Sequence, residues 1–405
     1  MIFFSQEKPA YCLKYICLIW PGCSPSFLLS QKRIGYSLSL LIILLTISSC
    51  EKFDLYSCPP NASTPGTTLI TEEKAMNITE TVCHTLNDNE LIGIQVSIRD
   101  SLNEEWNISG GAVDLAQQVD MENQHILRIG SVTKIFTATL ILKLIEENHL
   151  QLDQPLSDFY PEQDNIAGIT IRHLLNHSSG IIDLFSIPSI FISASNFPGK
   201  HWDPNPIVEV CMNKDLRFTP GSDYSYSNTN YLLLGLLAEQ ITDKDIDQLF
   251  GEYILAPLDL NSTYLVPYMP VPTALTNGYV HRFALSLQEW YVTEPENTAW
   301  ATIGFTAGAM ASNASDLSAF LFHLFNGDIL NETSLTLMTT FNEDHGFGLF
   351  RIKVNDQYYW GHEGEITGFE SIAVFNPTTR TIISICCNTT PFKINNLLNE
   401  IDALL

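Results

Sequence analysis

The chain is poor in basic residues. Its 405 residues include 20 Lys and Arg against 45 Asp and Glu, so the formal net charge at pH 7 is -25. Phosphate backbones and anionic lipid surfaces repel a chain this acidic. We therefore expect no nucleic-acid partner.

Several common site patterns are also missing. The sequence has no Cys/His cluster with zinc-site spacing, no Gly-rich phosphate loop and no Gly-x-Ser-x-Gly elbow. We expect no metal and no cofactor, and we disfavour an α/β-hydrolase. The cysteines beyond residue 49 are scattered, and we do not expect a disulfide framework.

Residues 1–49 have the features of a lipoprotein-type signal peptide. Lys32 and Arg33 precede an uncharged run over residues 34–49, and Cys50 follows. The stretch from Ile47 to Cys50 resembles the lipobox of bacterial lipoproteins. This implies cleavage before Cys50, lipid on its sulfur, and an exported protein anchored at the bacterial cell envelope (periplasm or cell surface). The alternative is an uncleaved membrane anchor, although the run is short of the ~20 residues that a span needs. We interpret residues 1–30 as an over-long start.

The rest of the chain divides into a tether and one folded domain. Residues 50–71 contain a Pro/Gly/Ser/Thr-rich stretch and predict a flexible tether, and residues 72–405 predict the domain. Apolar periodicity predicts helices at 72–86, 135–145, 170–176, 229–242, 316–325 and 397–405, and Asn148 as a left-handed cap. Strands are predicted at 93–98, 106–113, 346–354, 370–375 and 381–387. Strands at both ends of the chain indicate one sheet built from distant segments.

The main chemical signal is Ser131-Val132-Thr133-Lys134, which opens a long apolar run. Residues three apart share one helix face, so a lysine of lowered pKa could activate the serine as a nucleophile. Free N–H groups in the first helical turn could also stabilise an oxyanion. The pattern alone is weak, because Ser-x-x-Lys also occurs at Ser5 and at Ser49. The plainer interpretation is a helix cap followed by a surface lysine.

Two further motifs occur once each. Tyr226-Ser227-Asn228 precedes a predicted helix, and His362-Glu363-Gly364 lies beside Glu365. Tyr226 could transfer a proton, and Asn228 could bind a substrate amide or orient the lysine. A glycine in the third motif would let a substrate approach a strand edge. The plainer alternatives are a half-buried tyrosine, a helix cap and a structural histidine.

Taken together, the motifs resemble the serine β-lactamase and penicillin-binding-protein superfamily. The nearest branch contains class C β-lactamase-like enzymes, D-alanyl-D-alanine carboxypeptidases and esterases. Residues 169–180 also look like that group's Thr-Ile-Arg-His-Leu-Leu-Thr-His-Thr-Ser-Gly segment, and residues 307–317 resemble the segment before a later helix. The similarity runs from about Leu91 to Phe375.

The resemblance implies a β-lactamase-like fold of two lobes. An α/β lobe with an antiparallel sheet flanked by helices would come from the chain ends, and an all-α lobe would be inserted at about residues 150–300. It also implies an acyl-enzyme on Ser131, with Lys134 as base and Tyr226 as proton donor and acceptor. The backbone N–H groups of Ser131 and Glu365 would hold the oxyanion, and Asn228, His362 and Gly364 would contact substrate.

The third motif departs from the Lys-Thr-Gly of many members. The neutral His362 and the acidic Glu363 and Glu365 should weaken binding of an anionic β-lactam. Three hypotheses remain: a carboxypeptidase-like enzyme on D-amino-acid peptides or related amides, an esterase or weak β-lactamase, and a lipid-anchored penicillin-binding sensor with slow turnover. The partners would be a small peptide, β-lactam or ester and the membrane, and we expect a monomer.

Overall fold

A computed structural model describes residues 61–62, 69–88, 91–270, 275–284, 287–293 and 298–405. The chain forms two compact units. Residues 56–280 and 291–405 belong to the large unit, whereas residues 281–290 belong to the small one. The signal peptide and Cys50 lie outside the described residues, so their assignment stays a prediction.

The strands are β1 (Asn61–Ala62), β2 (Gly93–Arg99), β3 (Glu105–Asp114), β4 (Val119–Asp120), β5 (Leu127–Arg128), β6 (Tyr264–Leu265), β7 (Gly278–Ala284), β8 (Leu287–Thr293), β9 (Met310–Ser312), β10 (Phe350–Val354), β11 (Gln357–Ile366), β12 (Phe369–Phe375), β13 (Ile382–Cys387) and β14 (Thr389–Thr390). The helices are α1 (Glu72–Asp88), α2 (Thr133–Glu146), α3 (Ile171–Leu175), α4 (Pro188–Asn196), α5 (Pro204–Met212), α6 (Asn228–Thr242), α7 (Ile246–Phe250), α8 (Thr298–Gly308), α9 (Ala314–Asn326), α10 (Glu332–Met338) and α11 (Ile394–Leu404).

The main sheet has the strand order β1-β3-β2-β13-β12-β11-β10, and its neighbours pair antiparallel. Strands β2, β12 and β13 are buried at every position, because helices cover both faces of the sheet. Helices α1 and α11 pack on one face, and α9 packs on the other. The predicted sheet of distant segments is confirmed, with β2 paired to β13.

Helix α2 crosses the core and is buried along most of its length. A single 3-10 turn, Gly130–Val132, leads into it. Asn148 has a φ of 62°, the left-handed conformation predicted for it after the helix. Because α2 is apolar nearly all round, it packs against the core on all sides. This packing fixes the position of the 3-10 turn that precedes it.

Three predictions about the fold need correction. The strand predicted from residue 346 begins at Phe350, because Gly348 takes a φ of 66° to pass closely over the Lys134 carbonyl. The inserted region is not all helical, since it also contains β6, β7 and β8. Asn61 and Ala62, predicted as part of a flexible tether, pair with Ser109 and Ile108 at the edge of β3. That edge would otherwise expose unpaired backbone groups.

The cysteines also differ from expectation in one respect. Cys83 on α1 is disulfide-bonded, whereas Cys211, Cys386 and Cys387 are free and buried. The sequence did not predict this disulfide bond. None of the helices in the described part of the chain has the length and apolar character that a membrane span requires.

Candidate active site

Three separate segments bring the predicted residues to one place. Ser131 lies on the 3-10 turn before α2, Tyr226 lies just before α6, and Asn228 is the first residue of α6. His362 and Glu365 lie on β11. Ser131 lines one pocket with Asn228 and Glu365, and a second with Tyr226, His362 and Glu365. Ser131 therefore stands where the two pockets meet.

Lys134 is fully buried beside the serine. Its Nζ lies 2.9 Å from Ser131 Oγ and donates hydrogen bonds to Asn228 Oδ1 at 2.8 Å and to the Ala307 carbonyl at 2.7 Å. Burial lowers the pKa of Lys134 to about 7, although the charge of Asp183 opposes the shift. A large fraction of this lysine is therefore neutral at physiological pH.

The three polar neighbours of Lys134 fit a neutral amine. An uncharged amine has two N–H groups and one lone pair. Asn228 Oδ1 and the Ala307 carbonyl can only accept, so they take the two N–H groups. The lone pair is then left for the hydroxyl proton of Ser131. This arrangement is suited to general-base activation of the serine.

Tyr226 contacts the same hydroxyl. Its phenol donates a hydrogen bond of 2.9 Å to Ser131 Oγ, and its ring lies 4.9 Å from Lys134 Nζ. Burial raises the pKa of Tyr226 above its ordinary value. The ring also packs against buried His177, with 4.5 Å between ring centroids. Tyr226 is thus held as a neutral phenol that can donate a proton towards Ser131.

Asp183 is a site residue that the sequence analysis did not identify. Its Oδ1 accepts hydrogen bonds from the Asn228 backbone N–H at 2.8 Å and from Asn228 Nδ2 at 3.0 Å. These bonds fix the amide so that its oxygen faces Lys134. Of the two roles predicted for Asn228, the structure favours orientation of the lysine. No local sequence signal links Asp183, in the loop before α4, to Asn228, the first residue of α6.

Two glycines let β11 approach the turn that carries Ser131. A Cβ at Gly364 would lie 2.0 Å from the Ile129 carbonyl, and one at Gly130 would lie 2.7 Å from the Glu365 nitrogen. The missing side chain at Gly364 thus makes room for the backbone at Ile129, whereas from the sequence we expected it to make room for a substrate. The same contact brings the Glu365 amide next to the Ser131 turn. The role of these two amides as oxyanion donors stays a prediction.

His362 is only 3% exposed and lies between aromatic rings. Its ring centroid is 4.6 Å from that of Phe350 and 6.2 Å from that of Tyr226. Burial, with a smaller effect from the charge of Lys134, lowers the pKa of His362 to about 3. The Nδ1 hydrogen-bonds the Glu363 carbonyl, so the neutral ring carries its proton there and Nε2 is an acceptor. Nε2 has no hydrogen-bond partner among the described residues.

The two pockets differ in chemistry. The first has an aromatic wall of Phe185, Phe191 and Trp300. The second contains the carboxylates of Glu363, Glu365 and Glu370. Within the described ranges, no group of three or more His, Cys, Asp and Glu residues could hold a metal ion.

Comparisons with known proteins agree with this fold. A D-amino acid amidase from Ochrobactrum anthropi SV3 superposes with a TM-score of 0.74 at 24% identity, covering 82% of this chain and 98% of its own. A D-stereospecific amidohydrolase from Streptomyces sp. gives 0.67 at 26% identity, covering 78% and 94%. A putative D-alanyl-D-alanine carboxypeptidase of Escherichia coli K12 is 25% identical over 268 residues, 59% of this chain and 61% of its own. The beta-lactamase family model matches residues 78–404. This chain therefore belongs to the beta-lactamase family, within the superfamily of serine β-lactamases and penicillin-binding proteins.

Proposed function

We propose that this protein hydrolyses amide bonds of D-amino-acid peptides or related amides through an acyl-enzyme on Ser131. The observation that carries the proposal is the contact of 2.9 Å between Ser131 Oγ and the fully buried Lys134 Nζ. A surface lysine would stay protonated and could not act as a base near neutral pH. Here burial provides the neutral amine.

The reaction follows from these contacts. Ser131 Oγ attacks the carbonyl carbon while its proton passes to Lys134 Nζ, and the carbonyl oxygen becomes an oxyanion. When the carbonyl re-forms, the C–N bond breaks and the leaving nitrogen takes the proton of Tyr226. Because burial raises the pKa of Tyr226, the phenol regains a proton from Lys134 in the same step. Water then hydrolyses the ester on Ser131 by the reverse proton transfers.

The D-amino-acid specificity rests on the relatives. By their names, the amidase and the amidohydrolase act on D-amino-acid amides or D-stereospecifically, and the carboxypeptidase acts on D-alanyl-D-alanine. The pocket with the aromatic wall adjoins Ser131 and offers space for an apolar side chain of the substrate. An anionic β-lactam is a weaker candidate, because Glu363, Glu365 and neutral His362 would face its carboxylate.

An esterase of the same fold is the second candidate. The observation that favours it is His362, whose buried neutral ring occupies the third motif and supplies no positive charge for a terminal carboxylate. An acyl ester without a carboxylate needs no such charge. A penicillin-binding sensor with slow turnover would use the same Ser131 and differ only in deacylation.

Substrate comparison tests the proposal. Purified protein is assayed on a D-Ala-D-Ala peptide, its L-Ala-L-Ala counterpart, a D-amino-acid amide, nitrocefin and a p-nitrophenyl ester. We expect release from the D-amides and little from the L-peptide. Fast ester cleavage without amide hydrolysis would support the esterase. A stable adduct with penicillin and no turnover would support the sensor.

We also propose that the protein is exported and anchored by lipid on Cys50. The support is the predicted signal peptide together with the disulfide bond at Cys83, since disulfides persist mainly outside the cytoplasm. Metabolic labelling with a palmitate analogue in a bacterial host should mark the wild type but not Cys50→Ala. Equal labelling of both would contradict the anchor. The monomeric state stays a prediction.

A further inference from the structure

His177 is a buried histidine beside the site that takes no part in the proton transfers proposed for Ser131, Lys134 and Tyr226. It lies two residues after α3 and is 3% exposed. Its φ is 58°, a left-handed conformation that residues other than glycine seldom adopt. Buried polar groups are almost always hydrogen-bonded, so the partners of His177 show what this placement achieves.

The hydrogen bonds of His177 determine which ring nitrogen carries the proton. The Ser227 backbone N–H donates to its Nδ1 at 3.2 Å, and Asn230 Nδ2 lies 3.3 Å from the same atom. A backbone N–H can only donate, so Nδ1 is unprotonated and the proton is on Nε2. Burial, with a smaller effect from the charge of Lys134, lowers the pKa of His177 well below its ordinary value. The ring is therefore neutral near pH 7, and Nδ1 stays an acceptor.

Three parts of His177 contact the segment that carries Tyr226. The His177 carbonyl accepts a hydrogen bond from the Ser225 N–H at 3.1 Å, and Nδ1 accepts the one from Ser227. The residues on both sides of Tyr226 are thus held by one residue. The His177 ring packs on the Tyr226 ring itself, with 4.5 Å between centroids and 33° between planes. The backbone and the ring of Tyr226 are therefore fixed together.

We propose that His177 is a positioning residue that holds the Tyr226 phenol at its distance of 2.9 Å from Ser131 Oγ, chiefly through the hydrogen bond that Nδ1 accepts from Ser227. The inference rests on the proposed function, in which Tyr226 gives its proton to the leaving nitrogen. Without the imidazole, the buried Ser227 N–H loses its acceptor and the Tyr226 ring loses its neighbour. A displacement of about 1 Å can slow an enzymatic reaction by about 10².

The ratio of amide hydrolysis to ester hydrolysis tests this inference in the full-length protein. The substrates are a D-amino-acid amide and a p-nitrophenyl ester, whose leaving group needs no proton. His177→Ala should lower kcat/KM for the amide about tenfold to a hundredfold more than for the ester. His177→Asn supplies an oxygen acceptor and suits the left-handed backbone, so it should recover most of the ratio. Equal losses on both substrates in His177→Ala, as a merely structural role would give, would overturn the inference.

Two further variants separate positioning from general destabilisation. His173 on α3 also accepts a backbone N–H through Nδ1, from Thr170 at 3.2 Å, but lines neither pocket at Ser131. His173→Ala is therefore the matched control and should keep the wild-type ratio. In Tyr226→Phe, adding His177→Ala should not lower the ratio further, because the phenol through which His177 acts is already absent.

Thermal melting shows whether each variant is folded. A ratio in His177→Asn as low as in Tyr226→Phe would overturn the inference whether or not His177→Ala folds. A second drop of the same size when His177→Ala is added to Tyr226→Phe would also overturn it. Failure of the wild type to hydrolyse the amide would instead overturn the proposed function, so the two failures are distinguishable.

Discussion

The charge of Asp183 should set the pH at which Ser131 becomes reactive. Asp183 is joined to Lys134 through the side chain of Asn228, by hydrogen bonds of 3.0 Å and 2.8 Å. The negative charge of Asp183 favours protonated Lys134 and so opposes the lowering of its pKa by burial. Asp183→Asn keeps an oxygen for Asn228 and removes the charge. The pKa of Lys134 should then fall further.

The size of the shift follows from the geometry. Two successive hydrogen bonds and one amide group place the opposite charges about 7 Å apart. Coulomb's law with an effective dielectric constant of about 20 gives roughly 2 kcal/mol, or ~1–2 pKa units. Solvent that reaches the pocket reduces this, so we expect a shift of about one unit. Acylation at pH 6 should then be faster relative to its plateau at high pH.

The assay is the second-order rate of fluorophosphonate labelling between pH 5 and pH 9. In wild type the rate should rise with pH through about 7, the pKa of Lys134, because only the neutral amine accepts the serine proton. In Asp183→Asn this rise should move to lower pH. Asp183→Ala frees the Asn228 amide and should lower the rate at every pH. A midpoint that stays in place, or moves to higher pH, in Asp183→Asn would refute this account of Lys134.

Three further predictions address other parts of the site. Lys134→Ala should slow acylation by at least ~10², and a near-normal rate would show that the lysine is only structural. Tyr226→Phe should slow amide hydrolysis more than hydrolysis of an activated ester, whose leaving group needs no proton; equal losses in steady-state assays would contradict its role as proton donor. Gly364→Ala should strongly lower the melting temperature, because its Cβ would lie 2.0 Å from the Ile129 carbonyl. Gly199→Ala, with nothing within 4 Å of its Cβ, is the control, and similar effects of both would contradict the close approach.

The sequence predicted the parts of the site that lie within short motifs. Ser131 and Lys134 are three residues apart, and this spacing places them on one face wherever the segment is helical. The convergence of Tyr226 and His362 on them followed from the resemblance, because their separation along the chain contains no geometric information. Asp183 was not predicted, since its bonds to Asn228 depend on how the loop before α4 packs against the start of α6.

The same limit applies to the fold: elements with a strong local sequence pattern were predictable, and pairings between distant segments without such a pattern were not. Buried strands such as β2 and β13 have strong β-forming sequences, and apolar α2 has a clear helical pattern. The pairing of Asn61 and Ala62 with β3 was not predictable, because two polar or small residues carry no β signal. The sequence also did not predict that Gly364 allows β11 to pass close to the Ile129 carbonyl, since only the folded chain shows which backbone lies next to this glycine.

The most direct test of the central claim is the mass of the intact protein after reaction with a fluorophosphonate, whose adduct with a serine nucleophile is not hydrolysed. Wild type should gain one phosphonyl group, and peptide mapping should place it on Ser131. Ser131→Ala should gain none, although its fold should be intact because the substituted side chain is small and lies at the pocket surface. An adduct of equal yield in Ser131→Ala, or one mapped to another residue, would contradict the assignment of Ser131 as the nucleophile.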